Sequence, residues 1–142
     1  MRRLIDEITT NGTLDELNNM IPYAGFAGFE LQKDNQGLLT VLKADPENIG
    51  NVIIGAVHGG VIGGLLEHAA SFHLLDEIDT LERIPRIVNV SIDYLRPALN
   101  KDTFARGLVI KQGRRVANVR VSAWQEDENR PVAAAHAHFL IA

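Results

Sequence analysis

Only one stretch of this chain can make a long helix, and almost everything after it alternates with the period of a β-strand. The run Val57 to Ser71 is apolar and glycine-rich at its start, and its middle carries the carboxylate of Glu67. After it, Val88, Val90, Ile92 and Tyr94 alternate with Asn89, Ser91 and Asp93, the period-two pattern of a sheet with one wet face. Thr103 to Gln112 alternates more weakly. Ala117, Val119, Val121 and Ala123 alternate with polar residues and Trp124, and Val132 to Ile141 carries small residues at Ala133, Ala135 and Ala137 before Phe139. One helix therefore has a whole sheet to cover. Doubly wound α/β folds need more helices between strands, so the pattern predicts an α+β layer pair: a curled antiparallel sheet of five or six strands wrapped around one long central helix.

The N-terminal part adds short elements. Thr13-Leu14-Asp15-Glu16 fits a capping box that starts a short helix, with Leu14, Leu17 and Ile21 on one face and Pro22 ending it. Arg2 to Thr9 is compatible with a further turn or two of helix before Asn11-Gly12. Strands are expected over Ala27 to Lys33 and Leu38 to Ala44, joined by a turn at Asp34 to Gly37, and Asp45 to Ala56 reads as a loop. The whole chain of 142 residues is read as one domain, with residues 1–24 a helical segment and 25–142 the core.

Bulk properties remove several function classes. A hydrophobic share of 46% supplies a core, but no apolar stretch approaches the roughly 20 residues that span a bilayer, so no membrane partner is expected. The acidic residues at Asp6 and Glu7 fall where a secretory peptide would be apolar, and a cytoplasmic location is expected. No cysteine is present, so thiolate nucleophiles and thiolate metal sites are out. A net charge of -4 with scattered Lys and Arg argues against nucleic acid as a partner. It still allows a local cationic lip for a small phosphorylated ligand, and Arg96, Arg114 and Arg115 are the candidates.

Chemistry concentrates on the long helix. At about 100° per residue, Gly60, Gly63, Gly64, Glu67 and Ser71 share one face, so a carboxylate stands above a trough of small residues with room for another molecule. Each helical glycine costs about 1 kcal/mol relative to alanine, so three on one face need a packing or a binding reason. The first helical amides lack internal acceptors and carry partial positive charge, which suits Gly59 and Gly60 to polarising a carbonyl oxygen. Glu67 is roughly 10 Å further along the axis at 1.5 Å per residue, too far for one helix to hold both groups on one small carbonyl. Two subunits, or a bent helix start, would resolve that distance. His58 reads first as a structural loop histidine. His68 and His73 are five apart, unlike a helical zinc pair, and His136 with His138 lacks a further ligand, so no metal is expected. Neither a dinucleotide fingerprint nor a P-loop is present.

His58-Gly59-Gly60 with an acid nine positions after the histidine resembles the signature of hotdog-fold acyl-CoA thioesterases of the phenylacetic-acid-degradation (PaaI-like) subgroup. Val90 to Ala98, with Tyr94-Leu95-Arg96-Pro97, and Gly113-Arg114-Arg115-Val116-Ala117 are similar to later blocks of that group. The resemblance runs from Ala27 to Ile141. It implies a hotdog fold and hydrolysis of a small or medium acyl-CoA thioester, aromatic acyl groups included, with coenzyme A part of the substrate and no cofactor. It also implies a homodimer or homotetramer with active sites between subunits, where Glu67 of one subunit faces the Gly60 amide of another. By the same analogy Ser71 helps position water or the acid, His58 and Asn51 join the catalytic set, and Gly59, Gly63, Gly64, Arg96, Arg114 and Arg115 contact substrate. One departure stands out: the position six before His58, commonly polar in the family, is Val52, with Asn51 one residue earlier. A noncatalytic acyl-CoA- or aromatic-ligand-binding hotdog protein is the first competitor, and a hotdog hydratase or dehydratase the second.

Overall fold

The computed structural model describes residues 14–78 and 80–142. The expected helix over Arg2 to Thr9 and the Thr13 end of the capping box lie outside these residues. Short helices α1 (Leu14–Asn18) and α2 (Pro22–Ala27) lead into β1 (Phe29–Asp34) and β2 (Gly37–Leu42). A 3-10 turn (Pro46–Asn48), β3 (Ile49–Asn51) and β4 (Ala56–Val57) precede α3 (Gly59–Glu77), and β5 (Arg86–Tyr94), β6 (Thr103–Gln112), β7 (Val116–Trp124) and β8 (Ala133–Leu140) complete the fold. Six strands form one antiparallel sheet in the order β1-β2-β6-β7-β8-β5. Helix α3 packs against β2, β5, β6, β7 and β8, the α+β layer pair expected from the one-helix pattern and the hotdog arrangement that the resemblance implies.

The alternation in the last strands does what it predicts. Ala117, Val119, Val121 and Ala123 of β7 and Ala133, Ala135, Ala137 and Phe139 of β8 are all buried, and they face Ile62, Leu65, Leu66, Ala69 and Phe72 of α3 in one core. The alanines of β8 let the helix approach closely. Gly107 of β6 does the same beneath His73, where an added Cβ would stand 3.1 Å from the histidine Cβ.

Pro22, the Asp45 to Ala56 stretch and β5 depart from the expectation. Pro22 ends nothing for long: as the first residue of α2 its missing amide costs no bond, and the helix stops at Gly28, whose φ of 87° and amide bond to the Ala24 carbonyl close it. The boundary drawn between residues 24 and 25 therefore falls inside α2, whose Ala24 and Ala27 are buried in the common core with Leu17. The expected loop from Asp45 to Ala56 contains the β3–β4 hairpin. Finally, the apolar face of β5 is not covered as an alternating strand should be. Val90 and Tyr94 pair with the buried Ala137 and Ala133, yet are 39% and 58% exposed, because β5 is a sheet edge.

The two sheet edges differ. Helices α1 and α2 lie against β1, whereas the nine-residue β5 has no strand on its outer side among the described residues.

Candidate active site

Helix α3 begins where β3 and β4 deliver His58. The His58 amide donates to the Asn48 carbonyl at 2.8 Å, and Asn48 Nδ2 donates to the Ala27 carbonyl at 2.8 Å, so α2, the hairpin and the helix start are one unit. Gly50 makes this possible, since a Cβ there would fall 2.7 Å from His58 Cα. His58 then caps the helix. Its Nδ1 accepts from the Gly60 amide at 2.9 Å, which places the proton of the neutral ring on Nε2.

That cap engages one of the first helical amides. Gly60 was the expected donor, but its amide is already engaged by His58, and the amides of Val61 and Ile62 bond to the His58 carbonyl at 3.0 and 3.2 Å. Among the described residues only the Gly59 amide in this turn has no acceptor. It carries the positive end of a 19-residue helix. The Gly59 carbonyl is held from the other side by Tyr94 Oη at 2.8 Å, and Gly59 lines a cavity of about 410 Å³ with Ile54, Ile62, Tyr94, Leu95 and Arg96 on its wall. Arg96 is fixed by a bond from Nε to the Pro131 carbonyl, 3.0 Å long.

Glu67 is exposed although Leu65, Leu66, His68, Ala69 and Ala70 around it are buried. Its carboxylate has no hydrogen-bond or ion-pair partner among the described residues. Ser71, one turn later on the same face, is buried at 5% exposure. From Gly59 to Glu67 the helix advances about 12 Å, and α3 runs unbroken through both, so the bent-start solution is excluded within one protomer.

The trough is filled by the chain's own side chains. A Cβ at Gly63 would meet Ile92 Cδ1 at 3.2 Å, and one at Gly64 would meet Tyr23 Cε1 at 3.0 Å. Packing thus gives both glycines a reason within the fold, one of the two the sequence left open. Asn51 is exposed and its Oδ1 accepts from the Ile53 amide at 3.1 Å, folded into its own loop, with Val52 and Ile53 almost fully exposed beside it.

Arg114 and Arg115 are not brought to Arg96. Tyr94 pairs with Ala133 and Ala133 with Ala123, whereas Arg115 precedes Val116, at the other end of β7. Seven strand residues separate those ends by roughly 23 Å. A second cavity, about 680 Å³ between residues 80–86 and the chain end, also lies at that far end. It lacks the polarised amide, which the smaller cavity holds at Gly59, so the smaller cavity is the better candidate.

Sequence reasoning missed Gly50, Asn48 and the choice of Gly59. Gly50 and Gly55 flank a short apolar turn before the histidine, the one signal that a hairpin presents His58. No group of three His, Asp or Glu able to hold a metal occurs among the described residues. None of their helices is long and apolar enough to cross a membrane.

A long helix packed against a six-stranded antiparallel sheet, with a polarised amide at its start and an unpartnered carboxylate two turns on, gives the chain a hotdog fold. The sequence pattern of the thioesterase superfamily matches residues 54–132, more than half of the chain, and the chain belongs to that superfamily. Its chemistry is thioester hydrolysis. The medium/long-chain acyl-CoA thioesterase YigI of Escherichia coli K12 is 26% identical over 134 residues, covering 85% of this chain and 86% of its own. A crystal structure from Chromobacterium violaceum is 38% identical, covers 100% of this chain and 98% of its own, and superposes with a TM-score of 0.79. A phenylacetic acid degradation-related putative thioesterase from Ralstonia eutropha shares the fold at 23% identity and a TM-score of 0.72, over 84% of this chain and 89% of its own.

Proposed function

We propose that the protein hydrolyses medium-chain acyl-CoA thioesters to a free acid and coenzyme A, in the cytoplasm, without a metal or other cofactor. The observation that carries this is Glu67: an exposed carboxylate with no partner in an otherwise buried stretch of helix. The Gly59 amide would donate to the thioester oxygen and stabilise the oxyanion that develops on it. Glu67 would take a proton from water as the water oxygen attacks the carbonyl carbon; the C–S bond then breaks and the departing thiolate of coenzyme A is protonated. Direct attack by the carboxylate gives the same products through an anhydride that water opens.

Because about 12 Å of helix separates the two groups, the reading requires the Gly59 of one subunit and the Glu67 of another. The bare β5 edge supports such pairing. It is long, it presents Val88, Val90 and Tyr94, and unpaired edges of this kind recruit a second strand. The name of YigI supports acyl-CoA as the substrate class.

A free-thiol assay over a panel of short, medium, long and aromatic acyl-CoAs tests the reading. Release of coenzyme A that disappears in Glu67→Ala is expected, with the oligomer intact by sedimentation. Asn51, turned into its own loop, is the one observation favouring the noncatalytic reading, and saturable binding without release of thiol from any substrate would select it.

A further inference from the structure

If Glu67 acts on a thioester carbonyl, the acyl group attached to that carbonyl must lie within a few ångströms of the same helix face. One turn before Glu67 that face belongs to Gly64, and over Gly64 sits the ring of Tyr23 from α2. The ring is fixed from below, edge-on to Phe29 with centroids 5.7 Å apart, and Phe29 itself is buried. On its outer side Tyr23 meets Phe26, with centroids 6.1 Å apart and planes 31° from parallel. A row of three aromatic rings thus runs from the core to the surface, its middle ring over Gly64, one turn before Glu67. Its inner member is 2% exposed, Tyr23 43% and Phe26 87%.

The fold does not need those two outer rings. Helix α2 anchors itself through the buried Ala24 and Ala27, and polar residues at 23 and 26 would leave that contact intact. A phenylalanine 87% exposed and stacked beside a second exposed ring offers a surface for an apolar partner. We propose that Tyr23 and Phe26 form the wall that receives the aliphatic acyl chain and sets its preferred length, with Gly64 kept small so that Tyr23 can stand close to the helix. The inference rests on the thioesterase reading of Glu67. A second copy of the chain is the lesser fit as occupant, because the β5 edge offers apolar side chains together with unpaired backbone groups, whereas α2 offers two rings on a six-residue helix.

The test is the ratio of kcat/KM for dodecanoyl-CoA to that for butyryl-CoA, measured on the full chain. Phe26→Ala should lower the ratio about tenfold, the scale on which apolar pockets discriminate chain length, with most of the change in KM for the long substrate, and Phe26→Leu should recover part of it. Tyr23→Leu, which keeps apolar bulk, separates loss of the wall from loss of folding. A ratio unchanged within about twofold in Phe26→Ala overturns the proposal. An equal fall for both substrates accompanied by a smaller sedimenting species also overturns it and makes the patch a contact between copies. Should the unmodified protein release thiol from neither substrate, the thioesterase reading fails by itself. Binding of a nonhydrolysable dodecyl-CoA thioether, weakened or not by Phe26→Ala, then decides the wall independently.

Discussion

Tyr94 Oη donates a 2.8 Å hydrogen bond to the Gly59 carbonyl, tying the edge strand β5 to the first turn of the long helix. The same ring packs 3.5 Å from where a Gly59 Cβ would be and its hydroxyl lies 3.6 Å from the corresponding point at Gly63. The orientation of the polarised amide thus depends on a residue of the strand that is free to pair with a second copy. Tyr94→Phe keeps the ring and removes the bond. A net hydrogen-bond contribution of about 0.5–1.5 kcal/mol corresponds to a fall of roughly two- to tenfold in kcat, with little change in KM, measured by steady-state thiol release. A rise in KM alone would show that Tyr94 serves ground-state binding instead.

Glu67→Ala should reduce turnover by a factor on the order of 10² to 10⁴, the range of a positioned acid or base. Stability should scarcely change, within about 0.5 kcal/mol, because the exposed carboxylate holds nothing in place. Turnover and a denaturant midpoint on the same preparation check both halves. A large loss of stability would show that Glu67 has a structural partner.

Gly50→Ala should damage the site from a distance. Its Cβ would lie 2.7 Å from His58 Cα and 2.8 Å from His58 Cβ, a clash with backbone that no rotamer relieves. Overpacking of this kind costs about 1–3 kcal/mol and would displace the capping histidine. Urea unfolding should show the destabilisation, and turnover of the folded fraction should fall as well.

A buried relay makes stability depend on pH. His68 Nε2 lies 2.9 Å from Asn18 Oδ1, and Asn18 Nδ2 donates to the Phe29 carbonyl at 2.9 Å, linking α3, α1 and β1. Burial pushes the His68 imidazole down to about 4. The unfolded chain therefore binds a proton that the folded chain refuses between pH 6.5 and about 4. Stability is complete above pH 6.5 and is lost as pH falls through that window, by roughly 3 kcal/mol at most. Denaturant midpoints at pH 7.5 and pH 5 measure it. His68→Phe should flatten the dependence that remains after His73, whose imidazole is also lowered by burial, is accounted for by the same substitution at 73.

Much of the scaffold was legible because periodicity reports burial. The alternation of β7 and the alanines of β8 identified the face that receives α3, and the scarcity of helical segments left few ways to cover the sheet. The elements that went unread are those whose reason lies elsewhere in space. Pro22 was a stop signal by local chemistry, yet it starts α2 because Ala24 and Ala27 have a core to enter. Gly63 and Gly64 had two readings on the sequence, packing or binding. Ile92, Tyr94 and Tyr23, distant in the chain, supply the packing reason.

The sequence by itself determined the layer architecture, the helix that carries Glu67, and the glycine-rich start that presents polarised amides, since each follows from residue period and residue type. Tertiary structure alone decided which amide is available, which glycines are packed and which cations lie near the helix start. Those are matters of a few ångströms: His58 takes the Gly60 amide and leaves Gly59, Tyr23 closes the space over Gly64, and the length of β7 keeps Arg114 and Arg115 from Arg96. A one-dimensional pattern records that such groups exist and how often they recur. Only the packed chain sets the distances between them, and hydrogen bonds and close contacts fall off over less than the length of one residue.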